Sequence, residues 1–192
     1  MAKKCRACRS PFEPFNSLQV ACSPACALVI GRKEAVKKAQ QEAKAKRRWV
    51  REQKERLKSR SDHQREAQQA FNAYIRARDA GKPCISCGSL PDDSGLITGS
   101  RMDAGHYRSV GSCPELRFEE LNCHAQCVRC NQHLSGNTVE YRISLVQRIG
   151  QEAVDWLEGP HEAKHYTTDE LKEIKRKYRA MKRELEREAR AA

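Results

Sequence analysis

The chain has 192 residues, 32% charged and 39% apolar, and its 37 Lys and Arg against 25 Asp and Glu leave a formal charge of +12. Such a balance excludes one large apolar core and favours a polyanionic partner, nucleic acid foremost. No apolar run is long enough to cross a membrane, and the first residues, MAKKCRACRSPF, lack the apolar middle of a secretory signal, so a cytoplasmic protein with no membrane partner is expected.

Ten cysteines in a reducing compartment argue for metal binding rather than a disulfide framework. Cys5, Cys8, Cys22 and Cys26 are spaced C-x2-C-x13-C-x3-C, two short pairs with enough chain between them to fold back around one tetrahedral zinc. In CSPAC, Ser23 is placed to cap a helix whose first residue is Pro24, which puts Cys26 in the first turn. Residues 1–30 are therefore expected to form a zinc knuckle similar to a small treble clef or zinc ribbon.

From Gly31 to about Glu66 the composition turns to Lys, Arg, Ala, Gln and Glu, strong helix formers, with fourteen basic against six acidic residues between positions 32 and 66. Residues 31–61 read as a basic helical arm, with Lys46, Arg47, Arg48 and Arg51 as candidate phosphate contacts. Val36, Ala43, Val50 and Leu57 recur every seven residues, but Gln40, Arg47 and Lys54 hold the partner positions, so the seam is thin for a coiled coil. A solvated arm and an arm lying along phosphates or a partner both remain open.

Residues 62–192 are expected to form a second domain. A helix from about Asp62 to Ala80 would place Ala67, Ala70, Phe71, Tyr74, Ile75 and Ala77 near one face and stop at Gly81 and Pro83. Cys84, Cys87, Cys127 and Cys130 then make C-x2-C-x39-C-x2-C around a long segment rich in Gly, Ser and Asp, a length that usually carries function. Four thiolates fill a tetrahedral shell and leave no position for water or substrate, so this second zinc is structural. Chemistry would have to come from the side chains it positions: Asp103, His106, Asn122, His124, Asn131 or His133. A hairpin and helix pinned by zinc would bring His106 opposite Asn131, a geometry that suits a water-activating base beside a divalent cation. Asn137 with Glu140 fits a helix cap and its reciprocal partner. Cys113 and Cys123 lack spaced partners and read as reduced thiols. Two or three helices follow, the last basic and starting near Thr168.

The motifs CISCG, GHY, LRFEELNCHAQC and CVRCNQHLSGN resemble the NinG (Rap) family of lambda-type phages, recombination endonucleases that act on branched DNA. The central order Cys84, Cys87, His106, Cys127, Cys130, Asn131 is in turn similar to the His-metal finger nucleases, above all phage recombination endonuclease VII. The resemblance implies an α-rich α+β protein with a zinc-braced ββα-metal (HNH-like) nuclease domain and C-terminal helices. It makes His106 the general base, Asn131 a ligand of Mg²⁺ or Mn²⁺, and Asn122 the residue that braces the loop bearing the base. Where such nucleases often carry a ligating Asp before the histidine, this chain has Gly105; Asp103 and His124 are the alternative ligands, and Arg108 is a further DNA contact. Implied partners are Holliday junctions, D-loops and phage or host recombination proteins in the host cytoplasm, with a homodimer suited to cutting two strands. The rival expectations are a non-catalytic zinc protein that binds nucleic acid, and an assembly factor that recruits a partner through its arm.

Overall fold

The computed structural model describes residues 2–91 and 102–191, so most of the Gly-, Ser- and Asp-rich loop lies outside the described residues. The chain divides into two compact units, Met1–Lys58 and Ser59–Ala192.

In the first unit, β1 (Lys3–Lys4) pairs antiparallel with β2 (Pro11–Phe12), Lys3 opposite Phe12. Between them Cys5 to Ser10 form a tight knuckle, which Arg9 closes in the left-handed region at φ 66°. Helix α1 (Pro24–Arg56) starts as the sequence indicates: Ser23 Oγ accepts the Cys26 N–H at 3.3 Å and Pro24 stands at the first position. It runs unbroken through Gly31, where the composition changes, and none of its 33 residues is buried. At 1.5 Å per residue it is about 50 Å long. Its exposed surface carries i,i+4 pairs such as Lys38–Glu42 and Arg48–Glu52, each adding a few tenths of a kcal/mol. The seven-residue seam lies uncovered along it, with Val36 57% exposed.

The helical run breaks at 57–59, earlier than the composition suggests. Ser59 Oγ accepts the Asp62 N–H at 3.2 Å while Asp62 returns a carboxylate to the Ser59 N–H at 3.0 Å, a reciprocal cap that fixes a new start. From it runs α2 (Arg60–Arg78), burying Ala67, Ala70, Phe71, Tyr74 and Ile75 as its spacing predicts. The face they meet belongs to the last helix, α5 (Thr168–Ala191; α3 and α4 precede it), on which Leu171, Ile174, Tyr178, Met181 and Leu185 repeat at three and four residues. Lys175 Nζ to Glu66 at 2.8 Å and the mutually tilted Tyr74 and Tyr178 rings, centroids 5.2 Å apart, show that the two helices run parallel. Phe71 and Phe118 complete this core with rings edge to face at 5.8 Å; burying each ring is worth about 1.5–3 kcal/mol.

Strands β3 (Met102–His106) and β4 (Cys123–Cys127) form the antiparallel hairpin expected, in a register that sets Asp103 opposite Gln126, Gly105 opposite His124 and His106 opposite Cys123. Asp79, just beyond α2, ties that helix to the hairpin: its Oδ2 accepts the Ala125 N–H at 3.1 Å, and Arg78 donates to the Cys123 carbonyl at 2.7 Å. Burial opposes the charge on Asp79, but Arg78 and Lys82 outweigh it and hold the carboxyl well below its usual range. Beyond the hairpin, α3 (Thr138–Ile149) and α4 (Gln151–Glu158) supply Tyr141, Leu145, Val154 and Leu157 to a second core with Ile85 and Leu116.

The cap expected at Asn137 forms differently. The residue adopts φ 42°, ψ 55°, makes no side-chain cap bond, and turns its Nδ2 toward the Cys130 sulfur at 3.7 Å. The left-handed turn after Gly136 swings the amide away from the helix and onto the metal module.

Candidate metal centres and active site

Both predicted cysteine quartets assemble. In Cys5, Cys8, Cys22, Cys26 and in Cys84, Cys87, Cys127, Cys130, all four sulfurs lie within 4.8 Å of one another. The Cys8–Cys22, Cys22–Cys26 and Cys87–Cys127 separations are 3.5, 3.6 and 3.8 Å, close to the roughly 3.8 Å that four sulfurs about 2.3 Å from a tetrahedral zinc impose. Each quartet could hold a structural zinc.

The two quartets are built on one plan. Cys5 and Cys84 donate their N–H groups to Ser10 and Ser89 carbonyls at 2.9 and 2.8 Å, and accept from Arg9 and Gly88 at 2.9 Å each. Arg9 and Gly88 both have positive φ, 66° and 71°. Arg6 and Ile85 reach Val20 and Ala125 at 2.9 and 3.0 Å, two residues ahead of the third cysteine in each case. The third cysteine then donates its N–H to the first sulfur, Cys22 to Cys5 at 3.4 Å and Cys127 to Cys84 at 3.3 Å. The shared hexapeptide pattern of CRACRS and CISCGS is the sequence signal of this repetition. Backbone N–H groups of Cys8 and Cys22 bring the Cys5 thiol down to about 6, whereas its neighbours Cys8 and Cys26 push Cys22 up to about 12. Protons are thus shared unevenly within a quartet, and a bound metal ion would release those that remain.

The second quartet anchors the start of β3, since Met102 packs on Cys84, Cys127 and Cys130. After Cys127 the chain enters a widened π-type turn, Arg129–His133, in which the Leu134 N–H bonds the Arg129 carbonyl at 2.9 Å. Such turns are rare and gather at functional sites. From this one, Asn131 Nδ2 and Gln132 Nε2 both donate to Asp103 Oδ2, at 3.1 and 2.7 Å. The structure therefore brings Asp103, rather than His106, to Asn131. His106 lies three residues further along β3, about 10 Å at the usual strand rise, because the register pairs it with Cys123. Gln132 had no signal in the sequence.

His106 is held in one tautomeric arrangement. Its Nε2 is 3.0 Å from the Arg117 carbonyl, which can only accept, so this nitrogen carries the proton and Nδ1 keeps the lone pair. Nδ1 lies 3.7 Å from the Cys123 sulfur and the ring packs 5.9 Å from Phe71. Burial lowers its pKa, only partly offset by the Arg117 carbonyl, so the imidazole is neutral at pH 7.

Asn122 is fully buried and clamps the segment after His106. Its Oδ1 accepts the Arg108 N–H at 2.7 Å, and its Nδ2 donates to the Arg108 and Leu116 carbonyls at 3.0 and 3.2 Å. Asn122 thus ties the segment after His106 to the one at Leu116. A second tie runs from the Tyr107 hydroxyl to Glu158, which Arg142 holds at 2.7 and 3.1 Å. Arg108 is half-buried, and its Nε finds no acceptor.

His124 is turned elsewhere. Only 4% exposed, it meets the Tyr141 hydroxyl at 3.3 Å, and burial, reinforced by Arg78, takes its pKa down to about 3. The Tyr141 hydroxyl itself donates to the Gly105 carbonyl at 2.9 Å, which leaves it to accept from His124 Nδ1. Gly105 also has a steric cause: a Cβ there would lie 2.8 Å from Gln126 Cβ and 3.0 Å from its Cδ, with Oε1 closer still. Gln126 is fully buried and pinned, donating to Ser86 Oγ at 2.7 Å and to the Gly136 carbonyl at 2.5 Å. A ligating aspartate at this position has no room. Lys46, Arg47, Arg48 and Arg51 are all exposed on α1, Arg48 bonded to Glu52 at 2.8 Å.

No helix among the described residues is long and apolar enough to cross a membrane. No solved structure matches the chain. The family model described as Bacteriophage Lambda NinG protein matches residues 1–188. Protein ninG of Escherichia phage lambda is 43% identical over 189 residues, 93% of this chain and 89% of the relative. The protein of the same name in Salmonella phage P22 is 44% identical over 189 residues, 93% and 90% of the two chains, and that of Escherichia phage 933W is 42% identical over 194 residues, 95% and 93%. Matched almost from end to end by both the family model and these phage proteins, the chain belongs to the NinG family.

Proposed function

We propose that this member of the NinG family is a divalent-metal-dependent endonuclease that hydrolyses phosphodiesters in branched recombination intermediates such as Holliday junctions and D-loops. The observation that carries the reading is the His106 ring: Nε2 is committed to the Arg117 carbonyl and burial keeps the ring neutral, so Nδ1 keeps a lone pair that meets only the weak donor Cys123 Sγ at 3.7 Å and would take a proton from water in its place. Asn122 holds the following loop in place, and the charge of +12 suits a polyanionic substrate. Asp103, Asn131 and Gln132 offer a carboxylate and two amides, oxygen donors of the kind hard cations take, once the amides turn their oxygens inward. Mg²⁺ or Mn²⁺ held there would neutralise charge on phosphate oxygens. Lys46, Arg47, Arg48, Arg51 and Arg108 would attract the phosphate backbone. A homodimer, paired through the uncovered seam of α1, fits cleavage of two strands, and recombination proteins of phage or host are the expected partners.

A second reading, a non-catalytic zinc protein that binds DNA as a recombination accessory, draws on the packing of His106 against Phe71 and Cys123. One experiment separates the two. Purified parent and His106→Ala proteins are incubated with linear and four-way DNA, with and without Mg²⁺ or Mn²⁺. The nuclease reading expects metal-dependent cutting that falls about 100- to 10,000-fold in the variant while DNA binding holds; a parent that binds but never cuts supports the accessory reading.

A further inference from the structure

The N-terminal zinc module carries an unusual loop, EPFNSLQ at positions 13–19, that presents two apolar side chains to solvent: Phe15 is 97% exposed and Leu18 87%. Its backbone is held by side chains at both ends. Asn16 Oδ1 accepts the N–H groups of Leu18 and Gln19 at 3.0 and 2.9 Å, and Gln19 Oε1 accepts the Phe15 N–H at 2.7 Å while its Nε2 donates to the Ala21 carbonyl at 2.9 Å. Lys3 Nζ ties the same loop through the Ser17 carbonyl. Polar groups thus fasten the backbone on either side of two side chains that stand largely in solvent.

The charge of the module selects the partner. Residues 2–30 hold Lys3, Lys4, Arg6 and Arg9 against Glu13 alone, and Lys4, Arg6 and Arg9 are exposed. Leu18 edges a groove that Val20, Ala21, Pro24, Ala27 and Ile30 also line, but Phe15 stands almost wholly in solvent. On a basic module they match a polyanion that offers flat rings, because lysine and arginine neutralise phosphate while an aromatic ring stacks on any base freed from its neighbours. Apolar side chains placed at a base step also wedge a duplex open.

We propose that Phe15, supported by Leu18, stacks on an unpaired base where nucleic-acid strands separate, so that the N-terminal zinc module reads branching while phosphate contacts elsewhere supply general affinity. This inference rests on the reading of the protein as one that binds DNA. It adds the group that distinguishes a fork from a continuous duplex.

The test uses the full chain, as parent, Phe15→Ala and Phe15→Trp, with a linear duplex and a forked duplex carrying 2-aminopurine at the first unpaired position. Zinc content serves as the check on folding, which a side chain this exposed should not disturb. Stacking makes the parent change the 2-aminopurine fluorescence, and Phe15→Trp retains that change. Phe15→Ala loses it and binds the fork about 5- to 100-fold more weakly, whereas linear binding and its salt dependence hold. Equal affinity of parent and Phe15→Ala for the fork overturns the proposal, as does an equal loss on fork and linear DNA. Loss of a protein partner with fork binding intact overturns it too, and assigns the loop to protein docking. A parent that binds neither DNA overturns the broader reading along with this one, and is distinct from a parent that binds linear and forked DNA alike.

Discussion

Gly105→Ala tests the packing of the hairpin against the second zinc module. The backbone at 105 is not in the left-handed region, so by chain entropy alone the alanine would stabilise the protein by about 0.4–1 kcal/mol. Packing reverses the sign. The new methyl would sit 2.8 Å from Gln126 Cβ and 3.0 Å from Cδ, and Gln126 is backed by Ser86 and Gly136. Making room breaks two buried hydrogen bonds, near 1 kcal/mol each, and strands their acceptors, which puts the net cost at about 2–4 kcal/mol. For a domain of this size the midpoint of thermal unfolding should fall by about 5–15 °C. Urea denaturation of four proteins, the parent, Gly105→Ala, Gln126→Gly and the double variant, isolates the contact. With Gln126 reduced to glycine the alanine has space, so its cost should vanish in that background. A cost under about 0.5 kcal/mol in the parent background, or an equal cost in both, would refute the reasoning.

Elemental analysis of the native protein should find about two zinc ions per chain, and Cys84→Ser should unfold the second unit, since a structural zinc supplies roughly 10 kcal/mol or more; one ion per chain would remove a module. Because the fold keeps His124 neutral down to about 3 against an ordinary 6.5, the unfolded chain takes up a proton that the fold refuses. Stability should therefore drop as pH falls below 6.5, by up to roughly 1.4 kcal/mol per pH unit, and His124→Gln should flatten that dependence in urea titrations between pH 7 and 5. Replacing Lys46, Arg47, Arg48 and Arg51 together by alanine should weaken binding to every DNA shape and lower the salt slope by about one for each phosphate left without its cation. An unchanged slope would assign α1 to protein contacts.

Features fixed by short-range chemistry were legible in the chain. Cysteine spacing identified both quartets, Ser23 and Pro24 located the start of α1, and the spacing of Ala67, Phe71, Tyr74 and Ile75 chose the buried face of α2. A break near residue 61 was expected, but its position, fixed by the Ser59 and Asp62 pair, was blurred by the uniform helix-forming composition around it. What could not be read depends on distant partners. Nothing in α2 names α5, more than 90 residues away, as the helix it packs on. Strand register decided that Asp103 rather than His106 meets Asn131, and a one-residue change in pairing would have altered the set. The absence of an aspartate at 105 looked like a departure from a nuclease pattern until Gln126 supplied its steric cause.

The junction between the first zinc module and α1 bears on how a helix with no buried residue forms at all. An isolated helix must first fix one turn, a step with an equilibrium factor near 10⁻³, or about 4 kcal/mol, before propagation becomes favourable. Cys22 and Cys26 straddle the Ser23 cap, so a metal ion bound by both would set the first turn before any of the roughly 50 Å that follow has ordered. The module is thereby a nucleus for the arm, and elongation from it needs only the modest propensities of Lys, Ala, Glu and Arg. Loss of metal from the first 26 residues would be felt as fraying along all the residues of α1, far beyond the reach of any contact the cysteines make.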